Sequence, residues 1–235
     1  VICLLQTKMQ FQVKNKEMNK KAFIFDLDGV IVDTAKFHFL AWKKLADSLN
    51  INFTHEINEQ LKGVSRVRSL EIILSQGNIQ ASQEDKNNWL LQKNEDYLKF
   101  VHQMDESEIL PRVEEVLQFL KNNNQYVVLG SASKNARPIL EKVNILHYFD
   151  AIVDGNDVTN AKPDPEVFLQ GANKVSVAYE NSIVFEDSVA GIQAANSAGM
   201  TSIGIGEKDV LHESDFCFRD FTEMSNNFIT QLINK

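Results

Sequence analysis

The sequence predicts an α/β protein: a doubly wound parallel sheet with a block of helices inserted after its first strand. Three observations carry this. Short apolar runs recur at residues 22–25, 126–129, 151–153, 182–185 and 201–205, the pattern of strands buried on both faces. Segments with helical spacing of apolar residues separate the later runs, and such alternation favours parallel pairing. Between residues 35 and 104 only helical periodicity is found.

Composition narrows the class. A chain of 235 residues can bury a sizeable core as one large domain or two smaller ones. Its net charge of -8 argues against a nucleic-acid binder, which needs a basic face. A small anionic substrate stays possible, because a few well-placed lysines and arginines outweigh distant charge. Cys3 and Cys217 are the only cysteines, so a disulfide framework and a cysteine metal site are excluded, and a cytoplasmic location is expected. No apolar run reaches the length of a membrane span. Residues 1–5 are apolar but short and lack a basic leader, which makes a poor signal peptide. Residues 1–17 read as an extension outside the fold, followed by a core of 18–34 and 105–235, with 35–104 as a helical cap. A monomer is expected.

Each element has a local reason. The run 22–25 stops at Asp26, with Asp28 and Gly29 following and a second apolar run at 30–32. Asp33 or Thr34 can cap a helix to about residue 50, where Phe37, Ala41, Leu45 and Leu49 form one stripe. Gly63 breaks the chain before a helix through Leu70, Ile73 and Leu74. Ser82 and Asp85 form a capping-box-like start for a third helix carrying Leu90, Tyr97 and Val101. Pro111 suits a first turn ahead of Val113, Val116, Leu117 and Leu120. The strand 126–129 ends at Gly130-Ser131, and a helix over 136–143 leads to the strand 151–153. Asp164-Pro165 opens the helix through Phe168 and Ala172. Glu186 and Asp187 sit at the end of the strand 182–185, and a helix over 190–198 closes at Gly199 before 201–205.

The strand ends carry the chemistry. Parallel strands point their carboxyl ends to one edge, where open α/β sheets bind ligands. Asp26 with Asp28, Ser131, Lys162 on its loop, and Glu186 with Asp187 can therefore converge. Acids, a hydroxyl and a lysine around a hard cation suit phosphoryl transfer, in which charge must be neutralised and groups positioned. Asp26 would be the nucleophile, forming an aspartyl-phosphate. Mg²⁺ would be held by Asp26, the Asp28 carbonyl and the Glu186/Asp187 pair. Asp28 suits general acid/base work, with its pKa expected to rise beside a second carboxylate in a closed site.

Phe25-Asp26-Leu27-Asp28-Gly29-Val30, Ser131, Lys162-Pro163 and Glu186-Asp187 resemble the four ordered motifs of the haloacid dehalogenase-like superfamily, over about residues 20–210. The stretches 61–66 and 130–135 are similar to segments of its β-phosphoglucomutase branch. That resemblance implies a HAD-like (Rossmannoid) core, a helical cap and Mg²⁺. It also implies interconversion of β-D-glucose 1-phosphate and glucose 6-phosphate through β-D-glucose 1,6-bisphosphate. The substrate, a small phosphorylated sugar, comes from resemblance alone. The cap fits such a scheme. Arg66 offers a bidentate fork for a second phosphate, Gly63 allows close backbone approach, and Lys62 and Ser69 add donors. Ser131, Ala132, Ser133, Lys134 and Asn135 run toward a helix start, where amides favour anions. Lys93 and His38 can orient Asp28, and Thr34 sits at a hinge position. Arg68 and Arg112 depart from the family, which often has an acidic residue near the first and glycine at the second. Two alternatives remain at this stage: a capped sugar-phosphate phosphatase using the same Asp26, and a catalytically silent binding module.

Overall fold

The computed structural model describes residues 20–61 and 64–235. The extension expected at 1–17 and the cap residues Lys62 and Gly63 lie outside the described residues. The chain runs β1 (Ala22–Phe25), then α1 (Ala35–Ser48), α2 (His55–Glu59), α3 (Arg66–Gln76) and α4 (Gln83–Val101). It continues through α5 (Val113–Asn122), β2 (Tyr126–Gly130), α6 (Ala136–Lys142), β3 (Ala151–Val153), α7 (Glu166–Lys174) and β4 (Ser182–Glu186). The last elements are α8 (Val189–Ser197), β5 (Thr201–Ile205), β6 (Phe216–Phe218) and α9 (Asn226–Asn234).

The sheet has the order β3-β2-β1-β4-β5-β6, and every pairing in it is parallel. β1 lies between β2 and β4, with Phe25 opposite Leu129 on one side and Phe185 on the other. The strand order reverses there, so a crevice opens at the carboxyl end of β1. Alternation fixes the two faces. Phe23 and Phe25 pack with Leu117, Leu120, Phe221 and Ile229, whereas Ala22 and Ile24 pack with Phe168, Ala172 and Ala194. Phe25 and Phe185 stack at 4.5 Å.

The helices between β1 and α5 bury a separate apolar cluster that includes Trp42, Leu45, Phe53, Leu70 and Ile73. Ser65 and Ser82 cap α3 and α4 by accepting the Arg68 and Asp85 amides. Thr34 takes the N-cap position of α1 but makes no cap bond; its hydroxyl turns to Asp28 instead. The apolar run at 30–32 is a turn closed on the Leu27 carbonyl, with Val32 making isolated bridges to Asp28 and Ile109. The helix expected around Pro111 begins two residues later, and Arg112 sits before it at φ 66°. That left-handed backbone is one that glycine adopts without steric cost. Here the guanidinium compensates by donating to the Phe221 carbonyl (3.1 Å), the Met224 carbonyl and Asn226 Oδ1 (2.6 Å), tying α5 to the C-terminal segment.

Candidate active site

Asp26 is the first residue beyond β1, and its amide still donates to the Phe185 carbonyl at 3.0 Å. The side chain is therefore fixed at the crevice by sheet geometry. Lys162 Nζ donates to Asp26 Oδ1 at 2.6 Å and to Glu186 Oε1 at 2.5 Å. All three residues are buried, and buried charges persist only when paired. Burial pushes the Asp26 carboxyl up to about 7; Lys162 opposes this, while Glu186 and Asp28 add to it. Burial alone would lower the Lys162 pKa, but the two carboxylates outweigh it and hold the ammonium protonated.

Glu186, expected among the metal ligands, lies directly behind Asp26 and is held by hydrogen bonds. Its Oε1 is taken by Lys162, and its Oε2 accepts from the Ser188 amide (2.7 Å) and hydroxyl (3.0 Å). The carboxylate is also absent from the cleft lining. A Cβ at residue 191 would collide with it, so Gly191 leaves the room it occupies. Asp187 does face the cleft. It packs over Gly29, whose φ of 79° and bare Cα allow the close approach. Among the described residues no three acidic or imidazole side chains converge as a complete cation cage. The remaining donors are all oxygen: the Asp26 and Asp187 carboxylates and the Asp28 carbonyl. Such a partial set fits Mg²⁺, which keeps several waters and binds through one or two carboxylates plus phosphate oxygens.

The helical side of the cleft is built differently. The Thr34 hydroxyl donates to Asp28 Oδ1, and His38 Nε2 lies 3.7 Å from the same oxygen. Lys93 Nζ is 3.0 Å from His38 Nδ1 and sits 4.7 and 4.8 Å from the Trp42 and Tyr97 ring centroids. Burial would raise the Asp28 pKa, but His38, Thr34 and Lys93 together lower it. The rise expected from the sequence is thus reversed, because the carboxylate points to these donors. Lys93 falls to about 7 through burial and the nearby Arg66 charge, with Asp28 opposing. His38 is lowered by burial and Lys93, against the pull of Asp28.

A cleft of about 380 Å³ separates the two sides. Asp26, Asp28 and Asp187 line one wall, His38, Arg66, Ser69 and Lys93 another, and Ala132, Ser133 and Lys134 a third. Of the other expected residues, Lys162 stands behind Asp26 and Thr34 behind Asp28. Ser131 is fully buried and accepts the Ser133 amide at 3.1 Å. Asn135 donates to Asn94 Oδ1 at 3.0 Å, joining the loop after β2 to α4. Arg68 is exposed, pairs with Glu71 at 3.0 Å and does not line the cleft. Trp42 is buried and also lines the cleft; its spacing of one helical turn after His38 could have signalled this. Asn58 and the loop residues Val158, Thr159 and Asn160 line it too, and no sequence pattern marked them.

The family model described as "haloacid dehalogenase-like hydrolase" matches residues 20–199. This chain belongs to the haloacid dehalogenase-like hydrolases. Within that family it is 40% identical to the β-phosphoglucomutase of Bacillus subtilis over 207 residues, covering 87% of this chain and 92% of that one. It is 33% identical to a phosphorylated carbohydrates phosphatase of Thermotoga maritima, covering 78% and 83% of the two chains. A crystal structure of β-phosphoglucomutase from Clostridium difficile superposes with a TM-score of 0.87 at 40% identity, covering 92% of this chain and 97% of that one. No helix among the described residues is long and apolar enough to cross a membrane.

Proposed function

We propose that this haloacid dehalogenase-like enzyme is a Mg²⁺-dependent β-phosphoglucomutase. It would interconvert β-D-glucose 1-phosphate and glucose 6-phosphate, with residues 35–104 acting as a cap. The observation that carries the reading is the cleft itself, with a buried carboxylate on one wall and, on the other, Arg66, which has no carboxylate partner among the described residues. A mutase needs both, because it must hold one phosphate while transferring another.

In this scheme Asp26 carries a phosphoryl group and gives it to the sugar 6-hydroxyl, while Asp28 takes the hydroxyl proton. Its lowered pKa suits that first role, since it starts as the base. The product, β-D-glucose 1,6-bisphosphate, turns over in the cleft. Asp26 then attacks the phosphorus at position 1. The bond from phosphorus to the sugar oxygen breaks, and Asp28 returns its proton to that oxygen. Proton transfer of this kind contributes about 10²–10⁴ in rate. Lys162 holds Asp26 in place and offsets its charge as the anionic phosphoryl approaches. Arg66 and Ser69, with the Ser133 and Lys134 loop, bind the phosphate that is not reacting. Asp26, the Asp28 carbonyl and Asp187 would hold Mg²⁺, which when bound neutralises phosphoryl charge. Closure of the cap excludes water and favours the sugar as acceptor.

The relative named as a carbohydrate phosphatase supports a second reading: the same Asp26 chemistry with water as final acceptor. Supplying β-D-glucose 1-phosphate, Mg²⁺ and a trace of the bisphosphate separates the two. Glucose 6-phosphate as the main product supports the mutase; stoichiometric free phosphate and glucose would replace it with the phosphatase.

A further inference from the structure

Both phosphates of the bisphosphate have residues assigned to them, and the ring hydroxyls between them have none. One polar side chain of the cleft is still unassigned. Asn58 lines the cleft and is only 9% exposed. Its main-chain groups are already used: the amide donates to the Thr54 carbonyl at 3.1 Å, and the carbonyl accepts from the Leu61 amide at 2.9 Å. Its carboxamide makes no hydrogen bond to a described residue, yet neither polar atom is sealed away from open space. Both Oδ1 and Nδ2 are therefore available at the cleft. The helix that carries them is pinned. Thr54 caps α2 by accepting the Ile57 amide at 3.4 Å, and Ile57 and Leu61 pack into the apolar cluster of the cap helices.

The chemistry of the group separates a phosphate contact from a hydroxyl contact. A carboxamide is neutral and sets an acceptor beside two donors. A phosphate anion only accepts, so it would oppose its own oxygens to Oδ1. A hydroxyl both donates and accepts, and two hydroxyls on neighbouring carbons match Oδ1 and Nδ2 together. We propose that Asn58 is a specificity residue whose carboxamide hydrogen-bonds two adjacent hydroxyls of the sugar ring. Trp42, Leu61 and Val64 line the same cleft, and in such partly apolar sites a few placed polar groups fix the orientation of the ligand. A largely buried amide without a protein partner is unfavourable. A sugar that completes it is selected over one lacking the hydroxyl, which leaves it unpaired. Of the ring hydroxyls 2, 3 and 4, number 3 belongs to both adjacent pairs, so its loss is the diagnostic one.

The assignment rests on the phosphosugar reading of the cleft, and its test separates the two. The native chain and Asn58→Leu are compared with β-D-glucose 1-phosphate and its 3-deoxy analogue, with Mg²⁺ and a trace of bisphosphate, by consumption of the 1-phosphate. Leucine is close in size and has no polar side-chain atom, so the thermal midpoint should equal or exceed that of the native chain. For β-D-glucose 1-phosphate, kcat/KM should fall about 10- to 100-fold in Asn58→Leu. The native chain should lose a similar factor with the 3-deoxy analogue, whereas Asn58→Leu should treat the two sugars within about threefold of each other. Inorganic phosphate, as a competitive inhibitor, should bind both proteins within about twofold. No deoxy penalty in the native chain, an equal penalty in both proteins, or a parallel loss of inorganic phosphate binding would each overturn the inference. If the native chain releases free phosphate instead of forming glucose 6-phosphate, the mutase reading falls while the same comparison still decides the role of Asn58. If it consumes no sugar phosphate at all, both fall.

Discussion

The two walls of the cleft handle charge in opposite ways. On the sheet side Lys162 is shared between Asp26 and Glu186, and Glu186 is further held by Ser188. On the helical side Arg66 is half-buried with no carboxylate partner among the described residues, and the buried Lys93 lies against the His38 ring and two aromatic faces, with the Asp28 charge nearby. A paired cluster is complete in itself, whereas a half-buried cation without an acid leaves a place for an anion. The difference teaches where the chemistry is preassembled and where binding energy is gained.

Breaking the sheet side should have the largest effect. Lys162→Ala leaves two buried carboxylates without their common cation. Its unfolding free energy in denaturant should drop by about 3–5 kcal/mol, and turnover should vanish. A variant as stable as the native chain would mean the triad is not a closed electrostatic unit. Arg66→Ala tests the other wall. Loss of a charge-assisted contact to phosphate should reduce kcat/KM roughly 10- to 150-fold, while the thermal midpoint stays the same or rises. A large loss of stability with unchanged kinetics would make Arg66 a structural residue instead.

The lowered pKa of Lys93 sharpens the contrast through pH. Folded Lys93 loses its proton near 7, whereas the unfolded lysine keeps it to about 10.5. Across that window the unfolded chain binds the extra proton, so stability should rise with pH from about 7 toward 10.5 relative to Lys93→Met. Phosphosugar binding should take up a proton in the same range, because the incoming anion raises the lysine pKa. Calorimetry in two buffers of different ionisation enthalpy measures that uptake; equal apparent enthalpies would remove Lys93 from the anion site. The smallest effect is expected at Arg112, an arginine that does have acceptors. Arg112→Gly relieves the left-handed backbone while losing the same contacts as Arg112→Ala. Chemical denaturation should therefore find the glycine variant more stable by about 1 kcal/mol, and the reverse order would deny the strain.

The sheet side was legible in the sequence because strand ends in a parallel sheet must share an edge. Asp26 and Asp187 could be brought together across well over a hundred residues on that rule, with Lys162 reaching the same edge from the loop after β3. The same rule put Glu186 at this edge, but sequence cannot tell which way a carboxylate at a strand end turns. Ser188 and Gly191 decide that, by offering donors and room behind it. Asp28 shows a similar limit: its neighbours in sequence predict repulsion, but Thr34 and His38 reach it from α1 and lower its pKa. The five-residue α2, which brings Asn58 to the cleft, is too short for periodicity to reveal. The half-exposed edge strand β6 lacks the buried run of the central strands.

The central claim is that Asp26 takes the phosphoryl group covalently. It is tested most directly by the mass of the protein after brief reaction with β-D-glucose 1,6-bisphosphate and Mg²⁺ followed by acid quench. The account predicts one added phosphoryl group, on the peptide containing Asp26, and none in Asp26→Asn. Label on another residue, or undiminished label in Asp26→Asn, would contradict it.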